Sequence, residues 1–397
     1  MFNIGDIINN RYILLDIIGE GNFSTVWIAF DIKNNDYFSV KIINDEDIEI
    51  IGENELSIIK YIKKHISSKE QYKKNLLLYE NILSSSNKII IIEKFQNITL
   101  RDLFDNYILT DNDKNILLTK MEDIKGAIIL LNNNKILHTD IKPENIFIEI
   151  TDNKLYNLNN EIKDCINKLI NYTNKKNKKI NKLKLYNEII SEYSKTLKKK
   201  FEEQINNIET ENNETTENSE NNILTDSDIH SDFNIQDNID EFLNNTIMNN
   251  YNSESSINNE NNKKNIDFNL NNIKLSLGDF GNAINYNNEE EYEQLKTGKY
   301  HDMQTRYYRD PNIILRNNDI FNTDLFAYNM VIEEIKHNKI IINPKKTYFY
   351  TTDHQHLKKL IDNNKNIDFL KKYNINGRKL NIFFEYDKLL NGYFLKK

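Results

Sequence analysis

The stretch ILHTDIKPENIF, Ile136 to Phe147, sets Asp140, Lys142 and Asn145 within six positions inside a run bounded by apolar residues, with Thr139 just ahead of the acid. Polar groups buried without partners are costly, so the chain either exposes these on a loop or uses them. Two other places offer chemistry. In LLDIIGEGNFSTVWIAFD, Gly19 and Gly21 lie between two strand-like runs. A hairpin of this kind lets backbone N–H groups approach phosphate without interference from a Cβ, although a lone G-x-G is more often an ordinary hairpin, and the third position of a fuller motif holds Ser24. In YFSVKII, Lys41 lies in a predicted strand among Phe38, Val40 and Ile42, a placement equally consistent with an exposed strand edge. The helix predicted over GENELSIIKYI carries Glu55 ahead of Leu56, Ile58 and Ile59, and its carboxylate is the expected partner of Lys41, with Glu53 as the second candidate.

These residues need elements to position them, and composition divides the chain into three. From Met1 to Ile150 apolar residues recur in strand-like and helix-like patterns, punctuated at turns by Gly19, Gly21 and Pro143. From about Thr151 to Asn272 there is no Gly, Pro or Trp. A Lys-rich segment (NKKNKKINKLKLYNEIISEYSKTLKKK) that could form helix is followed by an acidic one (ETENNETTENSENNILTDSDIHSDF) of disordered composition. Folded patterning returns from Ile273 with IKLSLGDFGNA, so the insert interrupts one domain. Asn is so abundant throughout that its runs carry little functional weight.

The 397 residues allow two lobes of ordinary size plus an insert. With 52 Lys and Arg against 60 Asp and Glu, the net charge of -8 gives no footprint of a nucleic-acid binder and tilts mildly toward cationic partners. The Lys-rich segment reads as an exposed charged helix rather than a nucleic-acid site. The single Cys165 excludes a disulfide framework and a cysteine-based zinc site. No signal sequence or membrane span is visible, and an intracellular protein, cytoplasmic or nuclear, is expected.

The order of the elements resembles a eukaryotic-type serine/threonine protein kinase: a glycine-rich loop, a strand Lys, a helix Glu, a catalytic loop in HTDIKPEN and an Asp-Phe-Gly motif in LGDFGNA. GEGNFSTVWIAFD, the Thr of HTDIKPENI, DFGNA followed by MQTRYYR, and the long charged spacer narrow the resemblance to the SR-protein kinases, over roughly residues 10–150 and 273–390. It implies a bilobal α+β kinase fold with a small β-rich N-lobe and a larger helical C-lobe. The expected divisions are 1–96 (N-lobe), 97–150 (first part of the C-lobe), 151–272 (spacer, partly helical or disordered) and 273–397 (second part of the C-lobe).

The resemblance further implies ATP and Mg2+ as cofactors and arginine-serine-rich proteins as substrates. It makes Asp140 the general base, Lys142 the γ-phosphate contact, and Asn145 and Asp279 the metal ligands. Gly19, Glu20, Gly21, Asn22, Phe23 and Ser24 would cover the phosphates. Lys41, oriented by Glu55, would hold the α- and β-phosphates. Adenine would lie between the lobes against Glu93 to Phe95, with Ile92 at the gate and Val26 above the ring, although plain core packing explains Ile92 and Val26 equally well.

Thr139 stands where many kinases carry an Arg whose charge must be neutralised by activation-segment phosphorylation, so the expectation is an enzyme that does not need that phosphate. Departures from the pattern run the other way. Ser39 replaces a small apolar residue, Asn312 replaces a Glu, the segment NYNNEEEYEQLKTGKY is extra, and the helices that close the large lobe are expected to be missing. Asp324 is expected to brace the catalytic loop. A pseudokinase or ATP-binding scaffold acting through the spacer is the alternative, but Lys41, Asp140, Asn145 and Asp279 are all retained. Glu289 to Glu293, Glu333 and Glu334 are the candidate contacts for a basic substrate.

Overall fold

The computed structural model describes residues 2–20, 24–43, 49–85, 88–156, 158–174, 186–199, 263–287, 289–296, 303–315, 320–344, 353, 355–357, 359–360, 384–387 and 392–395. These fold as two units, one built from 1–46, 80–95 and 157–259, the other from 47–79, 96–156 and 260–397.

The first unit is built on a six-stranded antiparallel sheet in the order β1-β2-β3-β4-β6-β5, from β1 (Ile7–Ile8), β2 (Tyr12–Glu20), β3 (Ser24–Asp31), β4 (Asp36–Ile43), β5 (Asn81–Ser85) and β6 (Lys88–Lys94). Directly opposed residues share a sheet face, so the register sorts the side chains. Trp27, Val40 and Ile92 lie opposite one another on one face and join Tyr12, Leu14, Phe38 and Ile90 in an apolar cluster. Val26, Lys41 and Ile91 lie opposite one another on the other face. Arg11 closes the β3–β4 end with a fork onto the buried Asp31, Nε to Oδ1 at 2.8 Å and Nη2 to Oδ2 at 2.7 Å.

The start of the spacer folds with this unit. Helix α4 (Asn160–Asn174) buries Ile162, Cys165, Ile166 and Leu169, and helix α5 (186–199) buries Tyr186, Ile189, Ile190 and Tyr193, the i, i+3, i+4, i+7 stripe of an amphipathic helix. Ile190 lies so close to Gly5 that a Cβ there would meet its Cγ2 at 2.6 Å, and Gly5 also holds φ at 93°. Lys195, Lys198 and Lys199 face solvent. The acidic remainder of the spacer lies outside the described residues, apart from its last ten positions.

The second unit is helical and carries four small sheets among its described residues. Helix α1 (Glu49–His65) belongs to it. Helices α2 (Leu100–Asn106) and α3 (Asp111–Asn133) each begin with a capping box, Thr99 with Asp102 and Thr110 with Asp113, which satisfies orphan N–H groups of the first turn. Along α3, Leu117, Met121, Ile124, Ile128 and Leu131 form a buried stripe, and Gly126 leaves room for the Tyr72 ring, which an added Cβ would meet at 2.5 Å.

Strand β9 (Ile136–Leu137) leads into the loop that carries Asp140, and β10 (Ile146–Ile150) leaves it to pair with β7 (Ile98–Thr99) and β12 (Ile273–Leu277). The β10–β12 register runs from Ile146↔Leu277 to Ile150↔Ile273, and the spacer enters and leaves at its far end, where the Thr151 N–H donates to the Asn272 carbonyl at 3.0 Å. On its return the chain adds β11 (Lys264–Asn265) beside β8 (Tyr107–Ile108) in parallel. Beyond β12 come β13 (Ile284–Asn285), α6 (Glu289–Lys296), α7 (Pro311–Ile314), α8 (Thr323–His337) and the hairpin β14 (Phe384–Asp387) and β15 (Gly392–Leu395).

Candidate active site

The β10–β12 ladder brings the two polar motifs of the second unit together. Its first pair, Ile146↔Leu277, sets Asn145 beside Gly278, and the Gly278 N–H donates to the Asn145 carbonyl at 3.1 Å. Asp279 follows at φ 62°, a left-handed conformation that turns the chain sharply at the end of β12.

Asp140 is almost fully buried, yet each carboxylate oxygen has a donor. Thr305 Oγ1 donates to Oδ1 at 2.7 Å, and the Lys142 ammonium lies 2.8 Å from Oδ2. The Asn145 amide donates to the Asp140 carbonyl at 2.8 Å and to Oδ2 at 3.2 Å. Burial alone would raise the Asp140 pKa. The Lys142 charge and the hydrogen bonds from Lys142 and Thr305 outweigh it, and the carboxyl is held below its ordinary 3.8. At neutral pH it is an anion, able to accept a proton.

The loop that carries Asp140 is held from below. Asp324, fully buried on α8, accepts from the His138 N–H at 2.6 Å and the Thr139 N–H at 2.9 Å, which is the bracing expected of it. Its pKa is raised by burial, against the opposing effects of His138 and these two N–H groups. His138 Nε2 donates to the Gly278 carbonyl at 3.0 Å while Nδ1 accepts the Asp140 N–H at 3.3 Å, so one ring ties both motifs.

The segment after Asp279 is also tied down. Thr139 Oγ1 donates to the Asn282 carbonyl at 2.7 Å, and Asn54 Nδ2 on α1 donates to the Gly281 and Ala283 carbonyls, both at 3.0 Å. Gln304, at φ 70°, donates to the Thr323 carbonyl at 2.9 Å, and its side-chain oxygen accepts the Asp310 N–H at 2.8 Å, which anchors the chain next to Thr305. Helix α6 (Glu289–Lys296) lies within the extra residues of this segment. Its Leu295 is buried with Leu137, Ile284, Tyr286, Ile313 and Ile320, and Tyr292 stacks against Phe321 at 5.6 Å and Tyr286 at 6.4 Å. Leu137 is three residues before Asp140, and Met303, packed on the same cluster, is two before Thr305.

The remaining expected residues distribute as follows. Gly19, Glu20, Ser24, Val26, Lys41, Ile92, Glu93 and Phe95 belong to the first unit, and Glu55, buried on α1, belongs to the second. Gly21, Asn22 and Phe23 lie outside the described residues, as does the Glu53 side chain. Val26 shares the Lys41 face of the sheet. Ile92 lies on the opposite face, packed in the apolar cluster with Val40, and Ile91 is the residue across from Lys41.

Of the two candidate substrate contacts on α8, Glu333 is exposed, but Glu334 is buried. Arg101 Nη1 lies 3.1 Å from Glu334 Oε1, and Tyr308 donates to its Oε2 at 2.6 Å. Glu334 therefore braces α2 against α8 and is withdrawn from any substrate. Sequence reasoning missed this network, together with Thr305, His138, Gln304 and Asn54.

No described helix is long and apolar enough to cross a membrane. Among the described residues no three His, Cys, Asp or Glu side chains gather as a metal site. Asn145 and Asp279 instead offer one amide and one carboxylate, hard oxygen donors that suit a magnesium-type ion whose other positions are filled by phosphate and water.

A family model described as protein kinase domain matches residues 12–163. A probable myosin light chain kinase of Dictyostelium discoideum is 35% identical over 138 residues, which is 34% of this chain and 27% of that protein. The serine/threonine-protein kinase prp4 of Schizosaccharomyces pombe is 28% identical over 152 residues, 36% of this chain and 29% of that protein. The probable serine/threonine-protein kinase clkA of Dictyostelium discoideum is 24% identical over 155 residues, 37% of this chain and 16% of that protein. The chain thus spans less than a third of the length of these relatives. Residues 12–163 are thus similar to protein kinase domains, with serine/threonine kinases among the relatives, and the described elements have the α+β protein-kinase-like fold.

Proposed function

We propose that the chain is an ATP-dependent serine/threonine protein kinase acting on basic, arginine-serine-rich proteins. The observation that carries this reading is the environment of Asp140: a buried carboxylate kept ionised by Lys142 at 2.8 Å, steadied by Thr305, and set on the loop that also presents Asn145 next to Asp279.

In the reaction, the substrate serine or threonine hydroxyl hydrogen-bonds to Asp140. Its oxygen forms a bond to the γ-phosphorus, the bond from that phosphorus to the bridging oxygen of ADP breaks, and the hydroxyl proton passes to the carboxylate. Lys142 neutralises charge on the transferred group, and Lys41 holds the phosphates that remain on ADP. Asn145 and Asp279 hold Mg2+, which when bound supplies charge neutralisation along the triphosphate. Helix α6 supports a preference for basic substrates, because Glu289, Glu290 and Glu293 on it face solvent and carboxylates pair with arginine in a bidentate fork. With Thr in place of a cationic residue at 139, no activating phosphate is needed.

The test is transfer from ATP with Mg2+ to an arginine-serine repeat, a lysine-serine repeat and an acidic serine peptide, at low and near-physiological salt. The arginine peptide should be favoured, and by less as salt rises. Asp140→Asn should lower turnover by about 10²–10⁴-fold with the fold retained. Turnover retained in Asp140→Asn would remove the base from the mechanism, and equal, salt-independent turnover of the three peptides would remove the substrate class.

A further inference from the structure

Three consecutive backbone carbonyls, those of Gly281, Asn282 and Ala283, are each held by a side chain from elsewhere in the second unit. Asn54 takes the first and third and Thr139 takes the middle one. The two donors reach the strip from different elements, α1 and the catalytic loop. The strip begins two residues after Asp279, and β13, which follows it, pairs back onto β9 through Ile284↔Leu137, at the foot of the catalytic loop. A carbonyl row clamped at all three positions leaves the Asp279 turn little freedom to rotate, and the clamp involves no charged group.

We infer that Asn54 and Thr139 act together as positioning residues, a neutral clamp that fixes Asp279 in its working orientation without any added phosphate. This inference rests on the kinase reading of the site. Asn54 sits next to Glu55, so the helix that presents the acid also grips the metal-binding turn.

Near-isosteric substitutions separate the clamp from mere packing. Asn54→Asp keeps the shape but puts an acceptor where a donor is needed, and Thr139→Val keeps the volume but loses the hydroxyl. Thr139→Ser keeps the donor. Two readouts are taken on the full chain: kcat and KM for ATP with a phosphorylatable peptide, and amide hydrogen exchange over residues 279–286.

The clamp predicts a fall in kcat of at least fivefold for Asn54→Asp and for Thr139→Val and a larger one for the double variant. Exchange over 279–286 should be faster in all three, and Thr139→Ser should stay near wild type in both readouts. Turnover within twofold of wild type in the double variant overturns it. So does unchanged exchange, and so does a Thr139→Ser as impaired as Thr139→Val. Should the unaltered protein transfer no phosphate to any peptide, the kinase reading fails by itself, and the exchange of 279–286 alone then decides whether the clamp holds the turn.

Discussion

Replacing Arg101 by Met should strand a buried charge. Arg101 holds Glu144 Oε1 through Nε at 3.1 Å, Glu334 Oε1 through Nη1 at 3.1 Å and the Tyr308 hydroxyl through Nη2 at 2.9 Å. Glu144 is half exposed and water can replace its partner, but Glu334 is only 3% exposed. Breaking a buried ion pair from one side costs about 3–5 kcal/mol. Tyr308 still donates to Glu334 Oε2, so the cost should lie near the lower figure, about 3 kcal/mol, or roughly 6–12 °C in Tm at about 2–4 °C per kcal/mol.

The pH dependence gives an independent check. The Glu334 pKa is raised chiefly by burial, and Arg101 opposes that rise. Without Arg101 the folded-state pKa climbs further. The added penalty is then present above that pKa and is relieved as pH falls through it, so the stability gap between Arg101→Met and wild type should narrow on acidification. Denaturant unfolding of wild type, Arg101→Met, Glu334→Met and the double variant, across pH, measures all of this. The double variant should recover most of the loss, because an apolar pair leaves no charge uncompensated. A loss below about 1 kcal/mol in Arg101→Met, or a double variant no better than the single, would refute the account.

Three further outcomes are expected. Burial pushes the Asp16 carboxyl up to about 6, with the Ile17 N–H pulling the other way. Ionisation is therefore penalised in the folded state: stability should fall as pH rises from about 4 to about 6 and level off above, and Asp16→Asn should add about 1–3 kcal/mol at pH 7 and little at pH 4, read from pH-dependent unfolding. Tyr292→Ala should cost about 2 kcal/mol locally by removing two aromatic stacks, seen as faster amide exchange over 286–295 with global Tm little changed. Excising 202–258 should leave Tm within about 2 °C, since loop closure varies only logarithmically with length, whereas removing 160–199 should destabilise the first unit by exposing its partners for Ile166, Leu169, Ile189 and Tyr193.

The loop that carries Asp140 was legible because an acid, a Lys and an amide at fixed spacing stand out in an apolar run. Asp140 lies in contact with both Lys142 and Asn145, and Asp324 braces the loop as expected. The connections that hold the loop were not legible, and the reason is compositional. In a chain saturated with Asn, nothing marks Asn54, Asn75 or Asn97 as special. Yet Asn54 holds two carbonyls, Asn75 donates to the Leu275 carbonyl at 2.9 Å, and Asn97 both accepts the Ile150 N–H at 2.7 Å and donates to the Lys154 carbonyl at 2.8 Å.

Helix α6 was hidden by its acids: EEEYE reads as a solvated run, and only the pairing of Tyr292 with Leu295, three apart, betrays a buried side. Glu334 misled in the opposite sense, since nothing local in VIEEI says which of two adjacent acids turns inward. The stripe Tyr186, Ile189, Ile190, Tyr193 is present in the sequence but diluted by surrounding Lys and Asn.

The β10–β12 ladder has a consequence in time. Its two strands are neighbours in space, but about 120 residues of spacer separate them along the chain, and closing a loop of that length rather than one of about ten costs roughly 2 kcal/mol more. Pairing this remote in sequence forms slowly. During synthesis at roughly 5–20 residues per second, Asp279 emerges about 7–30 s after Asp140. Throughout that interval the nascent chain carries the Asp140 loop without the partner strand that orders Asn145, without Asp279, without Thr305 to steady the carboxylate and without Asp324 to hold the His138 and Thr139 N–H groups. The spacer therefore acts in time as well as in space: the loop that carries Asp140 is joined by the strand that precedes Asp279, and then by Thr305 and Asp324, only after the whole spacer has been made.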